Sequence, residues 1–261
     1  MAWDPAQYLK FEAERARPFH DLVARIEADS PARIVDLGCG PGNMTATLLD
    51  RWPDATVEGI DCSPDMIAKA SALARPKLRF TRGDIESWRP TEPVDVIVCN
   101  AALQWVPTHP DLLPGWVGGL NKGGALAFQV PSNVDSGAAA TFRDIATRRR
   151  WADRLAAVAE NWGPAQAGGV RTGAEYIDLL AGLGYRMDAW LTTYFHLLPG
   201  ADPVLEWYAG TGLRPFFDAL DPAEHDEFRA EVAADLRTVF PTHDYGTILP
   251  FRRLFVIAYA H

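Results

Sequence analysis

The sequence contains few cysteines, and their spacing does not suit a metal site. Only Cys39, Cys62 and Cys99 occur among the 261 residues, and no two of them form a Cys-x-x-Cys pair. Zinc sites and disulfide frameworks in short chains need paired cysteines at characteristic spacings. We therefore expect no metal site, and we interpret the three thiols as small apolar side chains that fill tight space.

The chain also lacks a long hydrophobic run and an excess of positive charge. Its longest charge-free stretch, residues 96–110, is interrupted by polar residues and prolines, which excludes a transmembrane helix. The first eleven residues include Asp4 and Lys10 and have no apolar centre, so we expect no signal peptide. The formal net charge of −9 argues against nucleic acid as a partner. These features predict a cytoplasmic protein with neither a nucleic-acid nor a membrane partner.

The first half of the sequence alternates between strand-like and helix-like segments. Short apolar runs predict strands at 33–37, 56–60, 78–81, 94–99 and 125–130. Strands that alternate with helices over short connections form parallel sheets with right-handed crossovers. We therefore predict an α/β fold with a doubly wound, mostly parallel, Rossmann-like sheet.

A glycine-rich turn at the end of the first predicted strand is the most informative motif. It reads Asp36-Leu37-Gly38-Cys39-Gly40-Pro41-Gly42. Glycine adopts positive φ and lets the backbone pass close to a ligand, and open α/β sheets bind ligands at the carboxyl ends of their strands. The spacing Gly-x-Gly-x-Gly is one residue tighter than the dinucleotide fingerprint. The motif alone also fits an ordinary strand-to-helix turn.

Polar residues follow the next three strands. Asp61 ends the second strand, where its carboxylate can accept hydrogen bonds from both hydroxyls of a ribose. Asp84, in Gly83-Asp84-Ile85, follows the third strand and can accept from an adenine amino group, and Asn100 ends the fourth strand. Either aspartate alone would be typical of a helix cap or a turn. The ordered combination predicts a nucleoside site.

This order of motifs resembles the class I S-adenosylmethionine-dependent methyltransferases over residues 34–130. The resemblance implies S-adenosyl-L-methionine as the cofactor. It also implies a set of cofactor-binding residues, namely Asp36, Gly38, Gly40, Gly42, Asp61, Asp84, Ile85 and Asn100.

Motifs outside this core resemble one family more closely, the trans-aconitate 2-methyltransferases. They extend from residue 3 to residue 255 and are Trp3-Asp4-Pro5, Tyr8-Leu9, Phe11, Glu14-Arg15-Ala16-Arg17-Pro18, Leu103-Gln104-Trp105, Thr192-Thr193-Tyr194-Phe195-His196, Thr211-Gly212-Leu213-Arg214-Pro215 and Arg253-Leu254-Phe255. The resemblance implies esterification of one carboxylate of trans-aconitate. The sequence departs from the family pattern between Ser132 and Gly169, where Arg148-Arg149-Arg150 stand in a row.

With this resemblance, we expect a single methyltransferase domain over residues 1–261. Its predicted parts are an N-terminal helical cap (1–30), a cofactor-binding core (31–131) and two helical insertions over the substrate site (132–172 and 200–246).

The predicted reaction requires no catalytic acid or base, because a carboxylate is already an anionic nucleophile. Alignment and a dry pocket should supply the catalysis. A small-molecule polycarboxylate does require cations, preferably arginines, which bind carboxylates through two hydrogen bonds. The candidate substrate-binding residues are Arg15, Arg17, Arg143, Arg214 and Arg253, with Tyr194 and His196 as neutral donors.

Each of these candidates also has a structural interpretation. Arg15 shares a helical face with Tyr8 and Phe11, which is typical of packing, and His196 lies in a predicted strand. The run Arg148-Arg149-Arg150 is interpreted as a solvated helical face.

Several other functions fit the same core. The alternatives are carboxyl methylation of a malonyl carrier-protein thioester, C-methylation of a quinone or sterol, an NAD-dependent dehydrogenase and a non-catalytic cofactor-binding protein. Binding of S-adenosylmethionine rather than NAD excludes the dehydrogenase, and methyl transfer to candidate acids excludes the non-catalytic protein.

Overall fold

The computed structural model describes residues 11–133, 135–162 and 170–261. The motifs Trp3-Asp4-Pro5 and Tyr8-Leu9 lie outside these residues, as do residues 163–169 of the first predicted insertion. The described chain divides into two compact units. The larger unit contains Ala16–Pro131, residues 170–192 and Arg253–His261. The smaller unit contains residues 11–15, 132–133, 135–162 and 193–252.

The helices and strands are numbered here in chain order. The helices are α1 (Glu12–Ala24), α2 (Asn43–Arg51), α3 (Pro64–Ser71), α4 (His109–Val117), α5 (Gly137–Thr147), α6 (Ala152–Glu160), α7 (Gly173–Ala181), α8 (Pro203–Ala209), α9 (Arg214–Asp218) and α10 (His225–Val239). The strands are β1 (Arg33–Leu37), β2 (Thr56–Asp61), β3 (Leu78–Arg82), β4 (Val94–Asn100), β5 (Leu120–Pro131), β6 (Arg186–Leu198), β7 (Thr242–His243) and β8 (Gly246–Tyr259). None of the helices in the described part of the chain is long and apolar enough to cross a membrane.

The sheet has the order β3-β2-β1-β4-β5-β8-β6, and β7 pairs with β8. Strands β1 to β5 are parallel, and β8 runs antiparallel to β5. The chain order reverses between β1 and β4, which creates the switch point where ligands bind in open α/β sheets. The predicted doubly wound, mostly parallel α/β sheet is therefore confirmed.

The two faces of the central strands differ in chemistry. Leu126, Phe128 and Val130 of β5 belong to a fully buried apolar cluster, and the Tyr176 ring on α7 lies 5.0 Å from that of Phe128, centroid to centroid. Side chains alternate along a strand, so Gln129 lies on the opposite face of β5. That face carries the polar residues described below.

The smaller unit has its own core. Helices α5, α8, α9 and α10 contribute aromatic rings to this core, among them Phe142, Trp207, Phe216 and Phe228. The Phe142 and Tyr208 rings, for example, meet edge to face with centroids 5.1 Å apart.

The run Arg148-Arg149-Arg150, interpreted from the sequence as a helical face, lies between two helices, α5 and α6. Arg148 adopts an extended conformation (φ −66°, ψ 138°) and ends α5. Its guanidinium then forms ion pairs with Asp144 on the same helix and with Glu231 and Asp235 on α10. The arginine run is thus a connection that is attached to α10, rather than a solvated helical face.

Candidate active site

The glycine turn after β1 has the backbone geometry that only glycine adopts easily. Gly38, Gly40 and Gly42 have φ values of 78°, 56° and 80°. A Cβ on Gly38 would lie 2.4 Å from the Cβ of Ala102, and one on Gly42 would lie 2.7 Å from the Phe80 ring. These two glycines are therefore required both by conformation and by close packing.

Gly40 is different because it faces open space. A Cβ built on Gly40 would meet no heavy atom of the described residues within 4 Å. Its backbone N–H donates to Oδ2 of Asp61 at 2.9 Å. The turn thus has a rigid backbone and one unfilled side, which fits close approach of a nucleoside ligand.

Asp61 joins two loops through its carboxylate. Its Oδ2 accepts from the Gly40 N–H, and its Oδ1 accepts from the Ser63 N–H at 2.8 Å. Each carboxylate oxygen accepts two hydrogen bonds, so both keep capacity for a ribose hydroxyl. The sequence predicted the ribose contact but not this connection. The spacing Asp61-x-Ser63, with Ser63 capping α3, is the signal that could have indicated it.

Asp84 and Ile85 lie beside the same turn. The backbone N–H of Gly83 donates to the carbonyl of Asp61 at 3.0 Å. The Ile85 side chain is buried and would lie 3.4 Å from a Cβ on Gly38. Asp84 is exposed, with its Oδ1 accepting from the Glu86 N–H at 2.9 Å. The arrangement is compatible with an adenine edge between a carboxylate and an apolar side chain.

Asp36 is the most perturbed acid in this part of the sheet. Its side chain is 2% exposed, and Thr45 on α2 donates to its Oδ2 at 2.6 Å. Burial raises the pKa of Asp36 from 3.8 to about 7; the Thr45 hydrogen bond opposes this shift and the charge of Asp61 adds to it. Asp36 therefore titrates near neutral pH, where a bound cation would favour its ionised form.

The end of β4 is strained. Ala101, directly after Asn100, has φ 53° and is a non-glycine residue with positive φ. Such conformations concentrate at functional sites. Gln129 on β5 pairs with Asn100 and is fully buried. This residue was not among the candidates predicted from the sequence. A polar residue inside the apolar run 125–130 is the signal that could have found it.

Three of the seven predicted substrate residues form one cluster in the smaller unit, around Trp207. The Arg15 guanidinium lies 5.0 Å from the Trp207 ring centroid and donates to the Trp207 carbonyl at 3.3 Å. The His196 ring stacks on Trp207 at 4.7 Å, and Tyr194 stacks on His196 at 6.0 Å. Tyr194 and His196 are both buried.

The other four candidates each lie on a different helix or strand. Arg143 on α5 and Arg214 at the start of α9 are half-buried in the smaller unit. A hydrogen bond from Arg252 lowers the pKa of Asp135, and the charge of Arg143 adds a smaller effect in the same direction. In the larger unit, Arg17 is exposed on α1, whereas Arg253 on β8 is only 6% exposed.

The cysteines occupy two kinds of environment. Cys39 and Cys99 are buried, as expected for small side chains in tight space, but Cys62 is exposed. The interpretation that all three thiols fill tight space is therefore wrong for Cys62. Within residues 11–133, 135–162 and 170–261, no group of three or more possible metal ligands occurs.

Comparison with known proteins gives full-length matches. Residues 34–124 match a family model described as a methyltransferase domain. The chain is 48% identical to a trans-aconitate 2-methyltransferase of Streptomyces avermitilis, over 99% of this chain and 97% of that protein. It is 47% identical to one of Rhodococcus jostii, over 98% of both chains.

Solved structures of lower identity share the fold. The S-adenosylmethionine-dependent methyltransferase from Thiobacillus denitrificans, in complex with S-adenosyl-L-homocysteine, has a TM-score of 0.52 at 20% identity and covers 98% of this chain and 99% of its own. The precorrin-6y C5,15-methyltransferase from Geobacter metallireducens has a TM-score of 0.52 at 6% identity, with 94% and 88% covered.

Replacement of Asp61 tests the ribose assignment. Asp61→Ala should weaken S-adenosylhomocysteine binding at least about tenfold, because charge-assisted hydrogen bonds contribute roughly 1.5–3 kcal/mol each. Calorimetric titration measures this affinity. Asp54→Ala removes an acid with an exposed ion pair to Lys77 and should leave the affinity unchanged. Equal affinity in the Asp61 variant would contradict the assignment.

Asp36 should make stability depend on pH. As the pH rises from about 4 to about 7, the unfolded state releases the Asp36 proton while the folded state retains it, so the free energy of unfolding falls. Asp36→Asn should remove this loss, which is on the order of 2 kcal/mol between pH 5 and pH 8. Urea unfolding without ligand, at several pH values, measures it. Parallel profiles for the variant and the unmodified protein would refute the prediction.

Proposed function

The chain belongs to the family of trans-aconitate 2-methyltransferases, and from this premise we propose that it forms the monomethyl ester of trans-aconitate or a closely related polycarboxylate, with S-adenosyl-L-methionine as the methyl donor. The observation that carries the proposal is the extent of the match. Identity of 43–50% covers 98–99% of the chain, so it includes the smaller unit and not only the methyltransferase domain at residues 34–124.

The site fits the cofactor, which supplies a methyl group on a positively charged sulfur when bound. Asp61 would hold the ribose and Asp84 the adenine amino group, with Ile85 against the ring. Gly38, Gly40 and Gly42 allow the backbone to pass beside the ligand, and Asp36 and Asn100 are the remaining proposed cofactor residues. The open side of Gly40 and the free lone pairs on Asp61 support this assignment.

The protein's own contribution to catalysis is alignment. The acid's carboxylate is ionised at neutral pH, so no side chain has to remove a proton. The bond that forms joins a carboxylate oxygen to the methyl carbon, and the carbon–sulfur bond breaks in line with it. Residues that bind the remaining carboxylates fix the angle of this displacement, and exclusion of water strengthens their hold.

The chain as a whole opposes such a substrate. Its net charge is −9, so a trianionic acid binds only where local cations reverse the field. We assign this task first to Arg253, whose guanidinium is buried in the larger unit and can bind a carboxylate through two hydrogen bonds. Arg15, beside Trp207 in the smaller unit, is a further candidate. Arg17, Arg143, Arg214, Tyr194 and His196 complete the proposed set of substrate residues.

The proposal places the enzyme in the cytoplasm, without a nucleic-acid or membrane partner. Its three free cysteines support this location, because free thiols persist in reducing compartments.

Loss of one buried arginine should impair substrate binding. Arg253→Gln should raise KM for trans-aconitate at least about tenfold, with a fall in kcat if the contact also sets the attack angle. Steady-state kinetics measure both constants. Arg33→Gln is the matched control because Arg33 starts β1, at the amino end of the sheet, and pairs with Glu92. An unchanged KM for Arg253→Gln would remove this residue from the site.

Selectivity among acids tests the polycarboxylate assignment itself. Citrate should compete weakly with trans-aconitate, monocarboxylates should not compete, and a second methylation should be slow because the monoester has lost one charged group. Competition assays and product analysis measure these rates. Turnover of a fatty or aromatic monoacid at the rate of trans-aconitate, or rapid diester formation, would contradict the assignment.

A further inference from the structure

Gln129 has a buried side-chain amide without a hydrogen-bond partner in the described part of the chain. Its side chain is 0% exposed. Neither its Oε1 nor its Nε2 bonds to any described residue. Buried polar groups are nearly always hydrogen-bonded, and each exception requires an explanation. An unbonded amide in a buried strand lowers the stability of the protein, so Gln129 offers a donor and an acceptor to a ligand.

The register of the sheet places Gln129 at the carboxyl edge. It pairs with Asn100 on β4 and with Phe255 on β8. Two residues further along β5, Pro131 pairs with Arg253. Paired residues share a face of a sheet, and residues two apart along one strand do too. Asn100, Gln129 and Arg253 therefore lie on the same face of the sheet, and Arg253 on β8 is opposite the carboxyl end of β5.

The same face carries the proposed cofactor residues. On β1, Asp36 pairs with Val98 of β4, and Val98 lies two residues before Asn100. An acid next to Arg253 and Gln129 would thus lie on the cofactor side of the sheet, as methyl transfer requires. The apolar side, with Leu126 and Phe128, is closed by the buried cluster.

The chemistry of the two amides separates their roles. The unbonded atom of Asn100 is Oδ1, an acceptor, and a carboxylate has only acceptors when ionised. Asn100 therefore cannot bind a carboxylate through this atom. Gln129 has a free Nε2 donor, and a hydrogen bond from a donor to a carboxylate is stronger than one between neutral groups.

We propose that Gln129 and Arg253 together bind a carboxylate of the acid substrate that is not methylated. Gln129 Nε2 donates one hydrogen bond, and the Arg253 guanidinium supplies the opposite charge. The proposal rests on the proposed function and adds Gln129 as a residue that selects for the number of carboxylates.

Gln129→Met tests this role at nearly constant volume. KM for trans-aconitate should rise by about ten- to a hundredfold, while the affinity for S-adenosylhomocysteine stays within about twofold. The variant should also unfold about 2–4 °C higher, because an unsatisfied buried amide is removed. Gln129→Glu, which replaces the donor with an acid, should raise KM further. The control is Leu126→Met, on the opposite face of β5, which should change neither KM nor cofactor affinity.

Dicarboxylates that each lack one carboxylate of trans-aconitate sharpen the test. For the one that lacks the group held by Gln129, kcat/KM should be equal in Gln129→Met and the unmodified protein. A penalty of the same size on every acid, or a loss of S-adenosylhomocysteine affinity with normal KM, would overturn the subsite. An unchanged KM for Gln129→Met in an otherwise active enzyme would overturn the proposed subsite and leave the proposed function standing. Absence of turnover on all polycarboxylates by the unmodified protein would overturn the proposed function as well.

Discussion

The two backbone hydrogen bonds that the Asp61 carboxylate accepts are the interactions on which the rest of the site depends. One carboxylate oxygen holds the backbone of the glycine turn at Gly40, and the other holds the start of α3 at Ser63. The loops after β1 and β2 are therefore fixed before any ligand binds. This preorganisation lowers the entropy that ligand binding would otherwise cost. Within this turn, Gly38 is packed against Ala102 and Gly42 against Phe80, whereas Gly40 between them is open.

Charge organises the site at a second level. An acidic protein that acts on a polycarboxylate needs cations and donors only at the point of binding. The larger unit contains a buried arginine, Arg253, and a buried amide, Gln129, to which we assign this task. Asp36, whose pKa burial raises to about 7, is only partly ionised in an empty site near neutral pH. The same carboxyl can ionise when a positively charged ligand binds, because the two charges then stabilise each other.

Much of this was predictable because local patterns determine it. The strand at 33–37, the turn after it and the cap at Ser63-Pro64 follow from β-branched residues, glycine and proline at their usual positions. The break at Arg148 was not predictable, since it depends on ion pairs with Glu231 and Asp235, far away in sequence. Gln129 was missed for a similar reason. Its role depends on the antiparallel pairing of β5 with β8, which brings residue 253 beside residue 131.

Mass spectrometry of the product formed from trans-aconitate and S-adenosylmethionine tests the central claim most directly. The account predicts one added methyl group per molecule, which mild alkali removes as methanol because the group is an ester. A methyl group that resists alkali would show transfer to carbon and would contradict the account. Absence of any methylated acid, with the cofactor demonstrably bound, would contradict it equally.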